Sequence, residues 1–359
     1  MAAPVGNRAI YIGPQNELFT TEYDALYEPG YNQGLVEVHY SGVNPADEKH
    51  GHVLGLNDHV CGYEFSGKVV QAGNGFPYAV GDEIFGSKQM SLGSEFGAHQ
   101  DYLLAEGNTL ISKRPSTLPK EAAAVMSLVV RTAADALFNV LGIPPLNNSS
   151  LGMSPNSGIL IWGGGSAVGW SAVQLAKAAG LSPIITTASA SHHQALKDLG
   201  ATHCFDYRDD DVIARIQAAI DAAGQPLKHI LDAVCTQGQR SSTSLCDALK
   251  TAPDATYAGT VPVKSDKNKW VWCLGARAWE LRLPPPVGHI PVNKQWESRL
   301  VDIVSWAAEN YGDGFRIPNI RVVKRPEEGI EVIKASADGK ISFEKVAIKH
   351  PFEFLDPVG

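Results

Sequence analysis

The clearest chemistry in this chain lies directly after an apolar run. Ile159–Trp162 is followed by Gly163-Gly164-Gly165-Ser166-Ala167-Val168-Gly169, and a helix-forming stretch then continues to Gly180. Glycines let a backbone pass close to a phosphate, and the free N–H groups and dipole of a helix N-terminus stabilise its negative charge. Because a strand precedes the glycines and a helix follows them, the pattern favours dinucleotide binding over a plain tight turn, with Ser166 where a third glycine often stands.

The end of the next predicted strand indicates which dinucleotide would bind. Proteins that prefer NAD place a carboxylate there, about 20 residues beyond the glycines, to bind the ribose 2′-hydroxyl. No Asp or Glu lies between Gly164 and Lys197, and the strand instead ends in Thr187-Ala188-Ser189-Ala190-Ser191-His192-His193. Hydroxyl and imidazole groups donate to a 2′-phosphate, which a carboxylate would repel. NADPH is therefore predicted, while Ser191 as a helix cap and the two histidines as solvated surface residues stay equally open interpretations.

The first third of the chain has the pattern of a small β-barrel or sandwich. Apolar residues at Val36, Val38 and Tyr40 alternate with polar ones, which is the period-two signature of a half-buried strand. A helix is predicted from Lys120 to Leu141. Further strands are predicted at Ala9–Ile12, Lys68–Ala72, Asp82–Phe85 and Gln100–Ala105.

From Gly158 onwards, short apolar runs alternate with helical stretches, as a parallel sheet with crossover helices requires. The segment Trp270–Pro291, which contains three consecutive prolines, is predicted to be an irregular loop over another part of the molecule. An edge strand of the parallel sheet is predicted near its start, at Trp270–Leu274. A helix at Glu327–Ala335 and a strand at Lys345–Ile348 are predicted to follow. The predicted strands of the parallel sheet are Ile159–Trp162, Ile184–Thr187, His203–Phe205, His229–Val234 and Ala255–Ala258, and its helices are Val168–Ala179, His192–Leu199, Val212–Ala223 and Ser241–Leu249.

Length, net charge and cysteine content restrict the class of protein and its main partners. The 359 residues suffice for about two domains at about 150 residues each. A formal net charge of -8 disfavours nucleic acid or an anionic membrane as the main partner. Five cysteines without a C-x-x-C pair are typical of a reduced compartment. The N-terminus has no apolar signal region and Ala122–Val130 is too short to span a bilayer, so a soluble, cytoplasmic protein is predicted.

Motifs throughout the chain resemble the medium-chain dehydrogenase/reductase superfamily, and within it the zinc-free branch that includes quinone reductases. The N-terminal signature of this branch is similar to Gly62-Tyr63-Glu64-Phe65-Ser66-Gly67-Lys68-Val69-Val70 and Val80-Gly81-Asp82-Glu83-Ile84-Phe85-Gly86. The resemblance covers nearly the whole chain in the family order. The other matching elements are Asn44-Pro45-Ala46-Asp47-Glu48-Lys49, Ala122-Ala123-Ala124, Thr132-Ala133-Ala134, Gln174-Leu175-Ala176-Lys177, Leu199-Gly200-Ala201 and Phe205-Asp206-Tyr207.

Three features narrow the resemblance to fungal trans-acting enoyl reductases, which partner polyketide synthases. They are the Asn-Pro-x-Asp-x-Lys element, the open Ser166-Ala167-Val168 loop and the long insertion Pro144–Ser157. The resemblance implies an α/β fold with two domains. A GroES-like, β-rich catalytic domain would comprise residues 1–140 and 301–359, and an NADPH-binding Rossmann domain with a doubly wound parallel sheet would comprise residues 141–300.

The resemblance also implies a set of site residues. Phe343 departs from the family pattern, which usually has a small residue at this position. The departure bears on the cofactor contacts that the family pattern assigns to the neighbouring Ile341 and Ser342. The implied NADPH contacts are Ala46, Asp47, Glu48, Lys49, Gly164, Gly165, Ser166, Ala167, Val168, Ser189, Ala190, Ser191, His192, Tyr207, Ile341 and Ser342. The implied substrate contacts are Arg131, Thr132, Leu274, Gly275, Ala276, Arg277 and Ala278.

A catalytic zinc is not expected. Zinc members carry an early cysteine ligand and a histidine ligand, where this chain has Ala46-Asp47 and Tyr63, and it also lacks their four-cysteine lobe. His50-x-His52 and His59-x-Cys61 do bring together zinc-type donor groups. No later set of ligands accompanies them, so the histidines are interpreted as exposed loop residues and no metal is predicted.

The predicted reaction is reduction of the α,β-double bond of an enoyl thioester. Thr132 is the candidate donor at the nicotinamide and the substrate carbonyl, and Lys49 would orient the cofactor and could feed a proton. Helix capping or packing for Thr132, and a plain surface charge for Lys49, are the alternatives. A free-standing quinone or alkenal reductase is the second candidate function, and an NADPH-binding protein without turnover is the third.

The substrate pocket is predicted in the cleft between the two domains. Leu274-Gly275-Ala276 and nearby tryptophans would line an apolar channel, or alternatively the tryptophans close the Rossmann core. Arg277 is predicted to stand there as an isolated cation that meets a phosphopantetheine phosphate. The predicted partner is a polyketide synthase or its acyl carrier domain, bound transiently, and a monomer is favoured over a homodimer.

Overall fold

The computed structural model describes residues 6–90, 93–146, 158–224, 226–238, 240–283 and 288–353. The chain divides into two compact units. Unit 1 comprises Met1–Leu128 and Asn319–Gly359, and unit 2 comprises Val129–Pro318. The sequence-based domain boundaries after residues 140 and 300 stay a prediction, because compactness alone does not locate a domain boundary.

Strands and helices are mixed along the chain. The strands are β1 Asn7–Ile12, β2 Leu18–Tyr23, β3 Gln33–Gly42, β4 His59–Val60, β5 Glu64–Ala72, β6 Glu83–Ser87, β7 Tyr102–Glu106, β8 Ile111–Lys113, β9 Ile159–Trp162, β10 Ile184–Thr187, β11 His203–Phe205, β12 Leu227–Asp232, β13 Thr251–Gly259, β14 Trp270–Trp272, β15 Leu281–Arg282, β16 His289–Ile290, β17 Ile320–Val323 and β18 Lys345–Lys349. The helices are α1 Ala46–Leu54, α2 Lys120–Ala134, α3 Ala167–Ala178, α4 His193–Leu199, α5 Val212–Ala222, α6 Ser242–Asp247, α7 Lys294–Glu309 and α8 Pro326–Ala337.

Unit 2 contains a six-stranded parallel sheet with the order β11-β10-β9-β12-β13-β14. Every residue of β9 and β10 is buried, as in strands that carry helices on both faces. The predicted strands Ile159–Trp162, Ile184–Thr187 and His203–Phe205 match β9, β10 and β11 residue for residue. The predicted Rossmann-type doubly wound sheet is thus confirmed.

Unit 1 is built mainly on antiparallel strands, with one parallel pair between β17 and β18. A seven-stranded sheet has the order β17-β18-β3-β5-β6-β8, with β7 also paired to β3, and a second sheet has the order β2-β1-β4. The C-terminal β18 pairs with β3, which joins the two ends of the chain in one sheet. The predicted GroES-like β-rich domain is confirmed in this architecture.

Several elements were not predicted or were predicted wrongly. Sequence reasoning missed α1 and α7, although α7 buries an apolar stripe with helical spacing that includes Leu300, Ile303 and Val304. The edge strand predicted near Trp270–Leu274 is confirmed, because β14 extends the parallel sheet there, so the segment from Trp270 is not irregular at its start. The three prolines at 284–286 lie outside the described residues, as does most of the predicted insertion Pro144–Ser157.

One helical segment, Lys120–Val140, is long and apolar enough to cross a membrane by length and composition, among the described residues. It consists of α2 followed by a π-helical turn at Asp135–Val140, and it corresponds to the helix predicted at Lys120–Leu141. Of its most apolar window, 83% is buried inside the protein. A buried core helix passes the same test, so this segment is weak evidence for a membrane.

A buried ion pair fastens the C-terminal strand to the rest of unit 1. The Lys345 ammonium, at the start of β18, donates to Glu64 Oε1 at 3.2 Å, to Asn44 Oδ1 at 2.7 Å and to the Val43 carbonyl at 2.8 Å. Glu64 is fully buried, and its other carboxylate oxygen accepts the N–H of Leu128 at 2.8 Å. Both charges are therefore paired and hydrogen-bonded, which burial of charge requires.

Substitution Lys345→Met is expected to destabilise unit 1, because it leaves the Glu64 carboxylate buried without a cation. The expected loss is about 3–5 kcal/mol in the free energy of unfolding, measured by urea denaturation followed by circular dichroism. Lys349→Met is the control, because Lys349 pairs with Glu353 on the surface and should leave the midpoint unchanged. Equal effects of the two substitutions would contradict this assignment.

Candidate functional site

The predicted phosphate loop lies at the topological switch point of the parallel sheet. β9 is flanked by β10 on one side and by β12 on the other, so the strand order reverses at the carboxyl end of β9. Residues 163–166 leave β9 at this point and lead directly into α3. In open α/β sheets, ligands bind in the crevice at such a position.

Glycine is required at two positions of this loop for different reasons. Gly163 has φ of 87°, a left-handed conformation that favours glycine. A Cβ atom on Gly169 would lie 2.1 Å from the Gly163 carbonyl oxygen, so only glycine lets α3 approach the loop this closely. Ser166 instead caps α3, since its hydroxyl accepts the N–H of Gly169 at 3.0 Å and donates to the Gly163 carbonyl at 2.8 Å. This explains why a serine can stand where a third glycine is common.

The loop presents backbone donors suited to a pyrophosphate. The first N–H groups of a helix have no partner within the helix, and the Ser166 cap satisfies that of Gly169. The N–H groups of Ala167 and Val168 at the half-buried start of α3 are thus oriented as anion donors. A Cβ on Gly164 would come within 2.3 Å of Thr186 Oγ1, so the loop backbone can pass close to β10 there. These residues fit the diphosphate of a dinucleotide.

The turn after β10 carries the predicted 2′-phosphate contacts. Ser189 precedes a short 3-10 turn at Ala190–His192, and Ser191 is exposed. The interpretation of Ser191 as a helix cap is wrong, because α4 begins after His192 and has no side-chain cap. His192 and His193 are half-buried rather than solvated, and the His193 Nε2–H group donates to the Ala188 carbonyl at 3.0 Å.

Two charged residues beside this turn were missed by the sequence reasoning. Asp206 follows β11, and its carboxylate accepts the N–H of Ala190 at 3.2 Å. The Arg208 guanidinium forms two hydrogen bonds with the same carboxylate and also lies over the Tyr207 ring, 5.7 Å from its centroid. The arginine holds the pKa of Asp206 well below its usual range. A carboxylate does therefore reach the turn, but it comes from the next strand and is neutralised.

The predicted substrate loop at 274–278 is held by four buried charges, all within unit 2. Asp135 and Glu297 are 0% and 4% exposed, and Arg131 and Arg277 are 1% and 6% exposed. Arg277 forms a two-point ion pair with Asp135, through Nε at 3.0 Å and Nη2 at 2.6 Å. Arg131 forms an ion pair with Glu297. Each carboxylate therefore has its own guanidinium, and we call this set the buried ion-pair quartet.

The buried ion-pair quartet also bonds the loop backbone. Asp135 Oδ2 accepts the N–H of Leu274 at 2.7 Å, and Glu297 Oε2 accepts the N–H of Arg277 at 2.6 Å. Arg131 Nε donates to the Gly275 carbonyl at 2.5 Å. The loop conformation is thus fixed by charges on the helical segment that holds Arg131 and Asp135, and by Glu297 on α7.

Arg277 is not the isolated cation that was predicted. It is buried, paired with Asp135, and stacked 4.9 Å from the Trp296 ring centroid. Sequence reasoning missed this pair because Asp135 is 142 positions away and meets Arg277 only in the folded chain. Within the same loop, Gly275, Ala276 and Ala278 are half-buried and carry no charge.

Thr132 lies in the same unit, half-buried and inside α2. Because two helical residues follow it, Thr132 does not cap this helix. Its expected role as a donor at the nicotinamide and the substrate carbonyl stays a prediction, as does a packing role.

The predicted contacts in unit 1 lie in two places. Ala46, Asp47, Glu48 and Lys49 form the first turn of α1, with Asp47 buried and Lys49 exposed. Ile341 and Ser342 precede Phe343, whose φ of 57° is a left-handed conformation that a glycine would adopt without strain. This backbone geometry accounts for the small residue expected at position 343.

The candidate metal donors are mostly engaged in other contacts. His50 lies on α1 and its Nδ1 is 2.8 Å from the Tyr63 hydroxyl, while His59 is buried in β4 and burial lowers its pKa to about 4. The interpretation as exposed loop residues is therefore wrong for these two histidines, whereas His52 is exposed. Cys61 is buried. Among the described residues, no group of three or more His, Cys, Asp or Glu side chains is arranged to hold a metal ion.

Comparison with known proteins assigns the family. Residues 30–116 match the alcohol dehydrogenase GroES-like domain, and residues 167–265 match the zinc-binding dehydrogenase family. The chain belongs to the medium-chain dehydrogenase/reductase superfamily and is an oxidoreductase.

Within this superfamily the chain is similar to fungal proteins named trans-enoyl reductases. It is 28% identical to himH of Aspergillus japonicus over 88% of this chain and 89% of that protein. It is 26% identical to milB of Cordyceps militaris over 93% and 94% of the two chains. It is 34% identical to tazE of Aspergillus terreus over 56% of this chain and 68% of that protein.

Solved structures share the fold at low sequence identity. The CurK enoyl reductase has a TM-score of 0.71 at 17% identity and covers 96% of this chain and 99% of its own. The quinone oxidoreductase from Coxiella burnetii has a TM-score of 0.68 at 23% identity, with the same coverage. Mycobacterial Rv1454c, solved with NADPH, has a TM-score of 0.67 at 18% identity and also covers 96% and 99%.

Substitution Arg277→Met is expected to destabilise unit 2, because Asp135 then remains buried without its cation. The expected loss is about 3–5 kcal/mol in the free energy of unfolding, measured by urea denaturation. Adding Asp135→Asn should recover part of the loss by removing the unpaired charge. Arg282→Met, which breaks an exposed pair with Glu280, is the control and should not change the midpoint. No recovery in the double variant would argue against a charge-based role.

Proposed function

We propose that this oxidoreductase is an NADPH-dependent trans-acting enoyl reductase. Its substrate would be the α,β-double bond of a polyketide enoyl thioester carried by a partner synthase, in secondary-metabolite biosynthesis. The observation that carries the proposal is the similarity to himH and milB, which spans 88% and 93% of this chain. The proposed cellular location is the cytoplasm, and the proposed oligomeric state is a monomer.

The phosphate loop and the turn after β10 would hold the cofactor, which supplies a hydride when bound. The N–H groups of Ala167 and Val168 would bind its diphosphate. Lys49 is exposed and would orient the ribose or a phosphate, and Thr132 would donate to the substrate carbonyl as negative charge develops there.

The preference for a 2′-phosphate rests on the charges at the turn after β10. Ser189, Ser191 and the exposed Tyr207 offer hydroxyl donors. The carboxylate of Asp206, which would repel a phosphate, already bonds Arg208 and the N–H of Ala190. The balance of groups at this turn therefore favours a phosphate over a free 2′-hydroxyl.

An apolar acyl chain is the proposed occupant beside the loop at 274–278. Gly275 and Ala276 are small, half-buried and uncharged, so the loop can border a long chain without a desolvation cost. Arg277 takes no part in binding a carrier phosphate, because its guanidinium is paired with Asp135. It serves instead to hold the loop.

The reaction is tested by NADPH oxidation in a stopped-flow spectrophotometer with enoyl thioesters of increasing length. Gly275→Leu and Ala276→Leu are expected to lower turnover of long enoyl thioesters at least about tenfold and to spare short ones, because a side chain then obstructs the channel. Val292→Leu, at an exposed position of the same unit, is the control. Turnover of quinones but not of enoyl thioesters would show that the protein is a quinone reductase. Binding of NADPH without turnover of either substrate would show that it is a non-catalytic NADPH-binding protein.

Cofactor choice is tested by titrating the protein with NADPH and NADH and following the quenching of tryptophan fluorescence. NADPH is expected to bind more tightly. Joint replacement of Ser189, Ser191 and Tyr207 by Ala, Ala and Phe should weaken NADPH binding about tenfold or more and leave NADH unchanged, because only the phosphate loses donors. Tighter binding of NADH by the unaltered protein, or no loss of preference in the variant, would refute the NADPH assignment.

A further inference from the structure

The carboxylate of Asp206 lies at the turn after β10, although Asp206 belongs to the neighbouring strand. Strands β10 and β11 pair in parallel, with Thr187 opposite Phe205, and the N–H of Ala188 donates to the Phe205 carbonyl at 3.0 Å. Asp206 directly follows β11, so this pairing brings it beside the residues that follow β10. Its Oδ2 accepts the N–H of Ala190 at 3.2 Å. An acidic group therefore stands at the carboxyl end of β10, where the sequence of that strand has none.

Two backbone groups hold the Asp206 carboxylate at this turn. The N–H of Ala190 donates to Oδ2, and the backbone N–H of Arg208 donates to Oδ1 at 3.0 Å. The Asp206 side chain is 12% exposed. Because neither donor is a side chain, a substitution at Arg208 leaves both donors in place. The position of the carboxylate therefore does not depend on the side chain of Arg208.

The guanidinium of Arg208 covers the same two carboxylate oxygens. Its Nε donates to Asp206 Oδ1 at 2.9 Å and its Nη2 donates to Oδ2 at 2.5 Å, which is the two-point geometry of a strong arginine–carboxylate pair. The Arg208 side chain is 61% exposed and lies over the Tyr207 ring, so the pair stands at the surface of the turn. The guanidinium thus offsets the negative charge that Asp206 would present to an incoming anion.

Stability does not explain this pair, because ion pairs with an exposed partner contribute little to the free energy of unfolding. Glu280 and Arg282 form a pair with the same spacing of two residues in the same unit. The Glu280 carboxylate is 49% exposed, whereas that of Asp206 is 12% exposed and also bonds the turn after β10. The Asp206–Arg208 pair is therefore distinguished by its place beside the proposed cofactor site, and the Glu280–Arg282 pair is its matched comparison.

The two nicotinamide dinucleotides differ at one group, and a carboxylate discriminates between them. A carboxylate accepts a hydrogen bond from the ribose 2′-hydroxyl of NADH, whereas it repels the 2′-phosphate of NADPH. Proteins that bind NAD have such a carboxylate beyond the glycine-rich loop, at the end of the next strand. Asp206 provides this group at the corresponding turn from β11, and Arg208 occupies its acceptor oxygens.

We propose that Asp206 is a masked carboxylate that determines the cofactor preference, and that Arg208 is the positioning residue that masks it. This proposal rests on the proposed binding of the cofactor at the turn after β10. With the guanidinium present, the 2′-phosphate meets a neutral pair beside the hydroxyl groups of the turn. Without the guanidinium, the carboxylate is still held by its two backbone donors, and it then accepts the 2′-hydroxyl of NADH and repels the phosphate. Arg208 thus acts on the cofactor through Asp206.

The masked carboxylate is tested by isothermal titration calorimetry of the full chain with NADPH and with NADH. Arg208→Met is expected to weaken NADPH binding about tenfold or more, because an ionised carboxylate then faces a phosphate with nearly two negative charges. NADH binding should not weaken, which also shows that the variant is folded. Arg282→Met removes the arginine of the matched pair and should change neither affinity. An equal loss of both affinities in Arg208→Met would overturn the proposal.

A double variant, Asp206→Asn with Arg208→Met, separates masking from direct contact with the phosphate. If Arg208 acts through Asp206, removal of the carboxylate charge should recover at least half of the binding free energy that Arg208→Met loses for NADPH. Asp206→Asn alone should bind NADPH at least as tightly as the unaltered protein. If the double variant bound NADPH as weakly as Arg208→Met, the guanidinium would itself contact the phosphate and the masking role would be overturned.

These titrations also separate the masked carboxylate from the proposed reaction. They need no enoyl substrate, so a protein that ranked the two cofactors as expected but reduced no enoyl thioester would refute the enoyl reductase function and support the masked carboxylate. An unaltered protein that bound NADH more tightly than NADPH would overturn the masked carboxylate, because Asp206 would then be available to the 2′-hydroxyl. Binding of neither dinucleotide would overturn both the cofactor site and the masked carboxylate.

Discussion

The carboxylates of Asp135 and Glu297 are almost completely buried, and the loop at 274–278 is the part of the chain that pairs with them. Both receive a backbone N–H from this loop, and Asp135 also receives the guanidinium of Arg277. A buried carboxylate without such partners would cost several kcal/mol, so the loop has little freedom to leave. The proposed substrate border therefore depends on charges that are buried and paired within unit 2.

The same constraint governs unit 1. Glu64 is buried with Lys345, and Asp47 and Asp101 are buried with two imidazoles between them. In each case a residue from the C-terminal segment, Lys345 or His350, completes a polar group of the N-terminal strands. The antiparallel pairing of β18 with β3 places these partners within hydrogen-bonding distance. Burial of charge thus makes the two ends of the chain a single structural unit.

The proposed cofactor site depends on a different property, the orientation of unsatisfied backbone groups. The Gly163 conformation and the absent side chain of Gly169 bring the start of α3 against the end of β9. Ser166 satisfies one N–H of the helix and leaves those of Ala167 and Val168 for an anion. Ser166 at the cap does not weaken this site, because Gly169 is the residue that lets α3 approach the loop closely.

The sequence alone determined the parallel sheet, its phosphate loop and the family, because these depend on local periodicity and on glycines next in sequence to the strand they follow. Strands β9, β10 and β11 were predicted to the residue for this reason. Sequence reasoning could not determine which charges are paired. Arg277 looks like a free cation until Asp135, 142 positions away, is placed beside it, and Asp206 reaches Ala190 only through the pairing of β10 with β11. The electrostatic environment of a side chain is a sum over neighbours in space, and only the tertiary structure brings those neighbours together.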